Sequence, residues 1–262
     1  MVSTASIVSL TATVRTVSTS GTARTGTGTP ATATSAPAST ATSAPAAGAK
    51  KDFATVAQEA RAAIDAAYAA RGGKEGDIHT NVTEWRQILN GMDRRTLYAV
   101  FSNAGGQFSD AERAGAEGML GEDYMRGIGL DANDPMAGAK MSENPATYMK
   151  AAVKYWEAAS DEEKQSPRWA YNRAASQHNY ELIAARDGEP VENFDSDHPL
   201  VKVIRSALTA SLGDPSRERS TGAMNTLEEL LGQPWAKGFE QQMKKAAKES
   251  TQNRGGFLNG TL

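Results

Sequence analysis

The chain has 262 residues, of which 39% are hydrophobic and 23% are charged, and it contains no cysteine. This length allows one or two domains, and the lack of cysteine excludes disulfide scaffolds, iron–sulfur clusters and thiol nucleophiles. The formal net charge of -3 gives no general attraction for nucleic acid, and no apolar stretch is long enough to cross a bilayer.

Residues 1–49 form a leader that is rich in threonine, serine and alanine. It has no aromatic or acidic residue, and Pro30, Pro37 and Pro45 interrupt regular structure, so we expect it to be disordered. Three roles stay open: a solvated tail, a non-cleaved export leader and an organelle transit peptide. A Sec-type signal peptide is disfavoured because no basic region precedes an apolar stretch. The localisation is therefore cytoplasmic or exported without such a signal.

Residues 50–250 have the composition of an α-helical domain. Alanine, leucine, glutamate, lysine and arginine are frequent there, and apolar residues recur every three or four positions. The first helix is predicted to begin near Phe53 and to end at Gly72 and Gly73, because glycine commonly follows a helix C-terminus. No stretch alternates with a period of two, which disfavours a sheet.

Polar residues with capping chemistry predict where the next helices begin. Asn81 precedes the second helix and Asp93 the third, because their side-chain oxygens accept hydrogen bonds from the first helical turn. Ser109 and Glu112 form a capping box, in which each side chain bonds the backbone N–H of the other residue. They open the fourth helix, and we assign Ser109 to this cap rather than to a nucleophile.

Proline marks the later helices, because it is favoured at the first helical position. Four such positions follow one another in the second half of the chain: Asn144-Pro145, Ser166-Pro167, Asp214-Pro215 and Gln233-Pro234. A second capping box is predicted at Ser160 and Glu163, and the last helices are predicted over 215–231 and 234–248. The result is a single all-α domain of eight or nine short helices, followed by a flexible polar tail at 251–262.

The three histidines, His79, His178 and His198, give no metal motif. None has the Glu-x-x-His spacing of a di-iron helix, and no His-Glu-x-x-His occurs. His178 lies on an apolar face, which favours a packed core residue over a catalytic base. His198 precedes a proline and is predicted to lie at a helix N-terminus.

Two acidic segments, at 131–134 and 195–197, begin like calcium-binding loops. Both lack the glycine at the sixth position and the terminal glutamate, since Met136 and Leu200, and then Ser142 and Ser206, occupy those positions. We therefore assign their carboxylates to turns and caps. No phosphate-binding glycine loop is present, and we expect no metal and no cofactor.

Five methionines surround the middle of the body and are assigned to the core, where methionine fills irregular gaps: Met119, Met125, Met136, Met141 and Met149. No motif assigns a catalytic residue. We therefore expect a non-enzymatic interaction protein that binds another protein, with no nucleic-acid partner and no membrane span. The alternative is a small helical hydrolase, for example one that cleaves cell walls, using Glu122, Asp123 or Glu181 in a cleft.

Overall fold

The structure, a computed structural model, describes residues 50–73 and 81–252. In these residues the chain forms eleven α-helices and two 3₁₀ turns, with no strand, and the prediction of one all-α domain is confirmed. The additional helices include two of only four and five residues, which leave little periodic signal in the sequence. The leader at 1–49, His79 and the tail beyond residue 252 lie outside the described residues.

The helices fall into two sequential groups. The N-terminal half contains α1 (Phe53–Ala70), α2 (Val82–Ile88), α3 (Arg94–Phe101) and α4 (Asp110–Gly127), with a 3₁₀ turn at Ala104–Gly106. The C-terminal half contains α5 (Ala137–Glu143), α6 (Pro145–Glu157), α7 (Asp161–Lys164), α8 (Pro167–Asp187), α9 (Pro199–Ala210), α10 (Leu227–Leu231) and α11 (Glu240–Gln252), with a 3₁₀ turn at Pro234–Ala236.

The predicted helix starts in the N-terminal half are confirmed by their caps. Asn81 accepts a hydrogen bond from the backbone N–H of Glu84 at 2.9 Å, and Asp93 accepts one from Thr96 at 2.8 Å. The Ser109 hydroxyl accepts from the N–H of Glu112 at 3.2 Å, and the Glu112 carboxylate accepts from the N–H of Ser109 at 2.9 Å. The box thus satisfies two N–H groups that a helix start otherwise leaves without partners.

The second predicted capping box is only half formed. Ser160 accepts from the N–H of Glu163 at 3.3 Å, as predicted. The Glu163 carboxylate does not accept the hydrogen bond from the N–H of Ser160 that would complete the box. It accepts two hydrogen bonds from Arg94 instead, both at 2.8 Å. A charged partner outcompetes a backbone N–H because the charge-assisted bidentate pair is the stronger interaction.

The prediction of a helix over 215–231 is wrong, since only its last five residues are helical. The Asp214 carboxylate accepts hydrogen bonds from the backbone N–H and the hydroxyl of Ser216, and the Glu218 carboxylate accepts one from the N–H of Gly213. Such local side-chain bonds compete with a helix. The helix predicted over 234–248 is likewise divided, because Gly238 adopts a φ of +89° and α11 starts only at Glu240.

Each half has its own buried apolar core. In the N-terminal half α1, α3 and α4 enclose Ile64, Trp85 and Val100. In the C-terminal half α6, α8, α9 and α11 enclose a separate cluster with Trp169 and Trp235 at its centre. Of two smaller clusters, one joins the end of α4 to α5 and α6, and the other joins α6 to α8. The chain passes between the halves once, through residues 128–136, which we call the 128–136 connection.

The spacing of apolar residues predicts one buried face on α6, from Tyr148 to Ala159, and one on α8 that includes Leu182 and Ala185. On α6 the residues of this face are all buried or half-buried. On α8 the prediction fails at Leu182 and Ala185, which are exposed, because this helix is contacted on several sides and buries Arg173 instead. Helical periodicity describes a helix with one buried face and loses its meaning for a central helix.

Candidate functional site

The carboxylates of the hydrolase alternative are all engaged by neighbouring side chains. Glu122 on α4 accepts from Arg86 on α2 at 2.7 Å, and Asp123 accepts from the Tyr155 hydroxyl at 3.0 Å. Glu181 on α8 accepts from Arg205 on α9 at 2.8 Å. The structure does not bring the three together, since they belong to three separate contacts.

Of these three carboxylates, Glu122 lines a cleft. This cleft, with a volume of about 260 Å³, lies between α4 and the 128–136 connection, and Arg126 and Asp131 also line it. The guanidinium of Arg86 contacts both the Glu122 carboxylate and, at 2.6 Å, the side chain of Asn133.

The two described histidines hold structural positions. His178 is buried, with its Nδ1 3.4 Å from the Thr209 hydroxyl, and burial lowers its pKa. The prediction of a packed core histidine is confirmed. His198 is the residue before α9, as predicted, and its ring lies edge-on to Trp169 at 5.0 Å.

A second cleft lies beside His198 and has a volume of about 320 Å³. Side chains from α6 to α11 line it, among them Glu157, Lys164, Asp197 and Ser250. Glu157 is paired with Arg173 at 2.6 Å, and Asp197 with Lys202 at 3.2 Å. Each of the two acidic groups of this cleft thus has a cation of the fold beside it.

The carboxylates at 131–134 make turns, as predicted, whereas those at 195–197 form ion pairs with cations of α9 instead. Asp131 accepts from the N–H of Asn133 at 2.8 Å, and Asp134 accepts from the N–H of Met136 at 2.8 Å. In the second segment Asp195 pairs with Arg205 at 2.9 Å. Among residues 50–73 and 81–252, no group of three or more acidic or histidine side chains is arranged to hold a metal ion.

Sequence reasoning missed a buried arginine on α8. Only 1% of the surface of Arg173 is exposed, and its guanidinium donates to Glu157, to Gln177 at 2.9 Å and to the carbonyl of Phe194. Gln177 continues the network by donating to Glu181 at 2.8 Å. The network fixes the loop between α8 and α9 against α6. A sequence gives no sign of it, because charged residues on helices are ordinarily assigned to solvent.

Glu112 is a second missed buried charge, although its capping role was predicted. None of its surface is exposed. Its carboxylate accepts from Arg61 at 2.8 Å and from the Tyr68 hydroxyl at 3.0 Å, in addition to the cap. Burial alone would raise its pKa, but these donors and the N–H of Ser109 outweigh burial and lower the pKa. Glu112 therefore joins α1 to α4 as a charged group.

The two halves meet along a seam, formed by α3 and α4 on one side and by α6, α7 and the start of α8 on the other. Three consecutive acidic residues of α7 contact cations of the N-terminal half. Arg94 binds Glu163 at 2.8 Å and Arg95 binds Glu162 at 2.6 Å. Lys50 binds Asp161 at 3.2 Å. We call these three ion pairs the α7 latch.

Aromatic rings form the rest of the seam. The guanidinium of Arg94 lies 3.8 Å from the ring centre of Tyr155, a distance suited to a cation–π contact. Tyr124 packs against Tyr155 at 5.3 Å and against Trp156 at 5.6 Å. Gly127 leaves room for this packing, because a Cβ atom there would lie 2.3 Å from the Tyr155 ring.

The latch gives the protein a pH dependence that can be measured. Burial would raise the pKa of Glu162, but hydrogen bonds from Arg95, from its own backbone N–H and from Ser160 outweigh burial and lower the pKa from 4.5 to about 2. A lowered folded-state pKa stabilises the fold above pH 4.5, and this stabilisation is lost as the pH falls from 4.5 towards 2. We expect Glu162→Gln to destabilise the protein at pH 7 and to make little difference near pH 2. Urea unfolding of the wild type and of Glu162→Gln between pH 7 and pH 2 tests this prediction. A difference in stability between the two proteins that does not change with pH would contradict it.

Met136 departs from the predicted assignment of methionines to the core. Met149 is buried, and Met119, Met125 and Met141 pack partly buried against core clusters. Met136 is 56% exposed, the largest value among the exposed large hydrophobic residues of the described chain. Met136 is the last residue of the 128–136 connection. Hydrogen bonds from backbone N–H groups to the carboxylates of Asp131 and Asp134 hold the connection in a tight turn just before Met136.

Comparisons of the chain with protein-family models, with curated proteins and with solved structures found no significant match. In the part of the chain that the structure describes, no helix has both the length and the apolar character that crossing a membrane requires.

Proposed function

We propose that the chain is a non-enzymatic interaction protein that binds another protein through its 128–136 connection and the adjoining sides of α2 and α4. The observation that carries this proposal is the exposure of Met136 at the end of the connection. Methionine is flexible and polarisable, so an exposed methionine adapts to apolar side chains of a partner.

The surroundings of Met136 support a binding surface. Asp134 fixes the turn by accepting from the N–H of Met136 and by pairing with Lys140 at 2.6 Å. Arg86 ties α2 to the connection through Asn133, and Val82, also exposed, lies one helical turn before Arg86. The backbone is thus held in place while apolar side chains face solvent, which limits the entropy lost on binding.

The experiment is site-specific photocrosslinking in the cells that express the protein. A photoreactive residue is placed at position 136, and a matched control is placed at Leu212, which is 45% exposed at the end of α9. We expect position 136 to give a crosslink to one defined protein that position 212 does not give. Equal crosslinking from both positions, or none from position 136, would contradict the proposed surface.

The hydrolase alternative is favoured by one observation, the presence of Glu122 and Asp131 in the same cleft. Opposing it, Glu122 is held by Arg86 at 2.7 Å. The test is incubation of the purified protein with isolated cell walls, with Glu122→Gln as the matched variant. On the binding proposal neither protein releases soluble fragments, whereas release by the wild type that is lost in Glu122→Gln would establish the hydrolase instead.

A further inference from the structure

Each half of the molecule has a large apolar core of its own. A smaller apolar cluster joins the end of α4 and the 128–136 connection to α5 and α6. The chain crosses between them once, at the 128–136 connection, where Gly129 adopts a φ of +86° directly after α4. A rotation of one half on the other therefore requires changes in a single segment.

The seam differs from the two cores in chemistry. The guanidinium of Arg168 on α8 lies 4.4 Å from the ring centre of Phe101 on α3, and its other contact is Glu117 on α4 at 3.4 Å. Tyr155 donates to Asp123 across the seam. With the α7 latch, charges and aromatic rings make up this part of the contact, and the small apolar cluster around Ile128 and Ala152 makes up the rest.

Two buried polar atoms at the seam have no hydrogen-bond partner. They are the hydroxyl of Tyr124 and the indole N–H of Trp156. Burial of Tyr124 also raises its pKa to about 12, so this group stays protonated and keeps its need for a partner. A buried polar group without a partner favours any state in which water can reach it. Separation of the halves would hydrate both atoms. This hydration offsets part of the free energy that is lost with the contacts of the seam.

Most charges of the α7 latch lie in the first turns of two helices, α3 and α7. Arg94 and Arg95 occupy the first turn of α3, where the positive end of the helix dipole disfavours cations unless acidic groups face them. Asp161, Glu162 and Glu163 supply those acidic groups from the first turn of α7, where the dipole favours them. Besides the N-cap Asp93, the α3 end is thus neutralised by the acidic residues of α7.

We propose that the α7 latch is a conformational switch, which holds the two helical halves together and allows them to part along the seam when its ion pairs are weakened. The open form keeps the two large cores except for Trp156, which belongs to the C-terminal core and becomes exposed together with the rings of Tyr124 and Tyr155. Salt weakens the exposed Lys50 pair first and the half-buried arginine pairs less. A partner that offers acidic groups to Arg94 and Arg95 would act in the same direction.

The test uses distances between fluorescent labels in single molecules, since the chain has no cysteine of its own. One labelled pair spans the seam, with cysteines at the exposed positions Ala66 and Lys244. The control pair lies within the C-terminal half, at Lys154 and Lys244. The variant Glu162→Gln/Glu163→Gln removes two latch charges, and we expect about tenfold more of a long-distance population for the seam pair. The control pair and the helical circular dichroism are expected to stay unchanged.

Two results would overturn the proposal. One is a folded variant in which the seam distance is unchanged. The other is a variant in which both distances lengthen and helical signal is lost, because the seam would then belong to one indivisible core. As a second measurement, the distance of the wild-type seam pair is followed from low salt to 1 M salt. At 1 M the electrostatic screening length is about 3 Å. A long-distance population that rises with salt supports the switch, and a constant distribution contradicts it.

Discussion

Replacing Glu112 by alanine is expected to lower the free energy of unfolding by about 3–5 kcal/mol, because it removes one partner of a buried ion pair. Arg61 would lose its buried partner at 2.8 Å and keep only the exposed Asp65 as a charged partner, and α4 would lose one of the two hydrogen bonds of its capping box. Glu112→Gln keeps the shape and an acceptor oxygen, so its cost is expected to be smaller, about 1.5–3 kcal/mol. Urea unfolding at neutral pH, followed by circular dichroism, measures both.

Two companion variants separate the cap from the buried charge. Ser109→Ala removes the hydroxyl that caps α4 and is expected to cost about 0.5–2 kcal/mol. Glu59→Gln removes the charge of an exposed pair with Lys51 and is expected to cost about 0–1 kcal/mol. A Glu112→Ala protein as stable as Glu59→Gln would show that the buried pair does not hold α1 to α4.

Two glycines of α4 are expected to respond to alanine with opposite signs. At Gly115 a Cβ atom would lie 2.3 Å from the ring of Trp85, which is buried in the core of the N-terminal half. Gly115→Ala is therefore expected to cost about 1–3 kcal/mol or more through overpacking. At Gly118, one helical turn later, a Cβ atom would meet nothing within 4 Å. Gly118→Ala is expected to stabilise the helix by about 0.5–1 kcal/mol.

Thermal unfolding and urea unfolding of the two alanine variants each measure this difference in stability. Because both substitutions change the same helix by the same group, their intrinsic helix propensities cancel and the difference reports the contact with Trp85. Stabilisation by both substitutions would mean that Trp85 does not pack against Gly115.

The helix starts were predictable because their signals are local. Ser109 with Glu112, and Ser166 with Pro167, lie within three residues of each other, so the sequence contains the whole interaction. The same reasoning failed at Asp214 and Pro215, where the side chains of the following residues offered the backbone another set of local bonds. Cap-forming residues serve turns as well as helices, and sequence alone does not separate the two.

The candidate site was less predictable because its contacts are distant in sequence. Arg94 and Glu163 are 69 residues apart, and Arg61 and Glu112 are 51 apart. Each of these residues also fits an exposed helical position, which is the ordinary place for a charge. The exposure of Met136 was missed for the opposite reason, since a methionine near apolar neighbours fits a core position and only the turn made by Asp134 directs it outward.

The most direct test of the proposed binding surface is the affinity of the crosslinked partner for two matched variants. Met136→Asp and Leu212→Asp each place a charge at an exposed apolar position, and neither is expected to change stability by more than about 0.5 kcal/mol. Titration calorimetry with the purified partner is expected to give a Kd about tenfold or more weaker for Met136→Asp and an unchanged Kd for Leu212→Asp. An unchanged Kd for Met136→Asp, with both proteins folded, would contradict binding through the 128–136 connection.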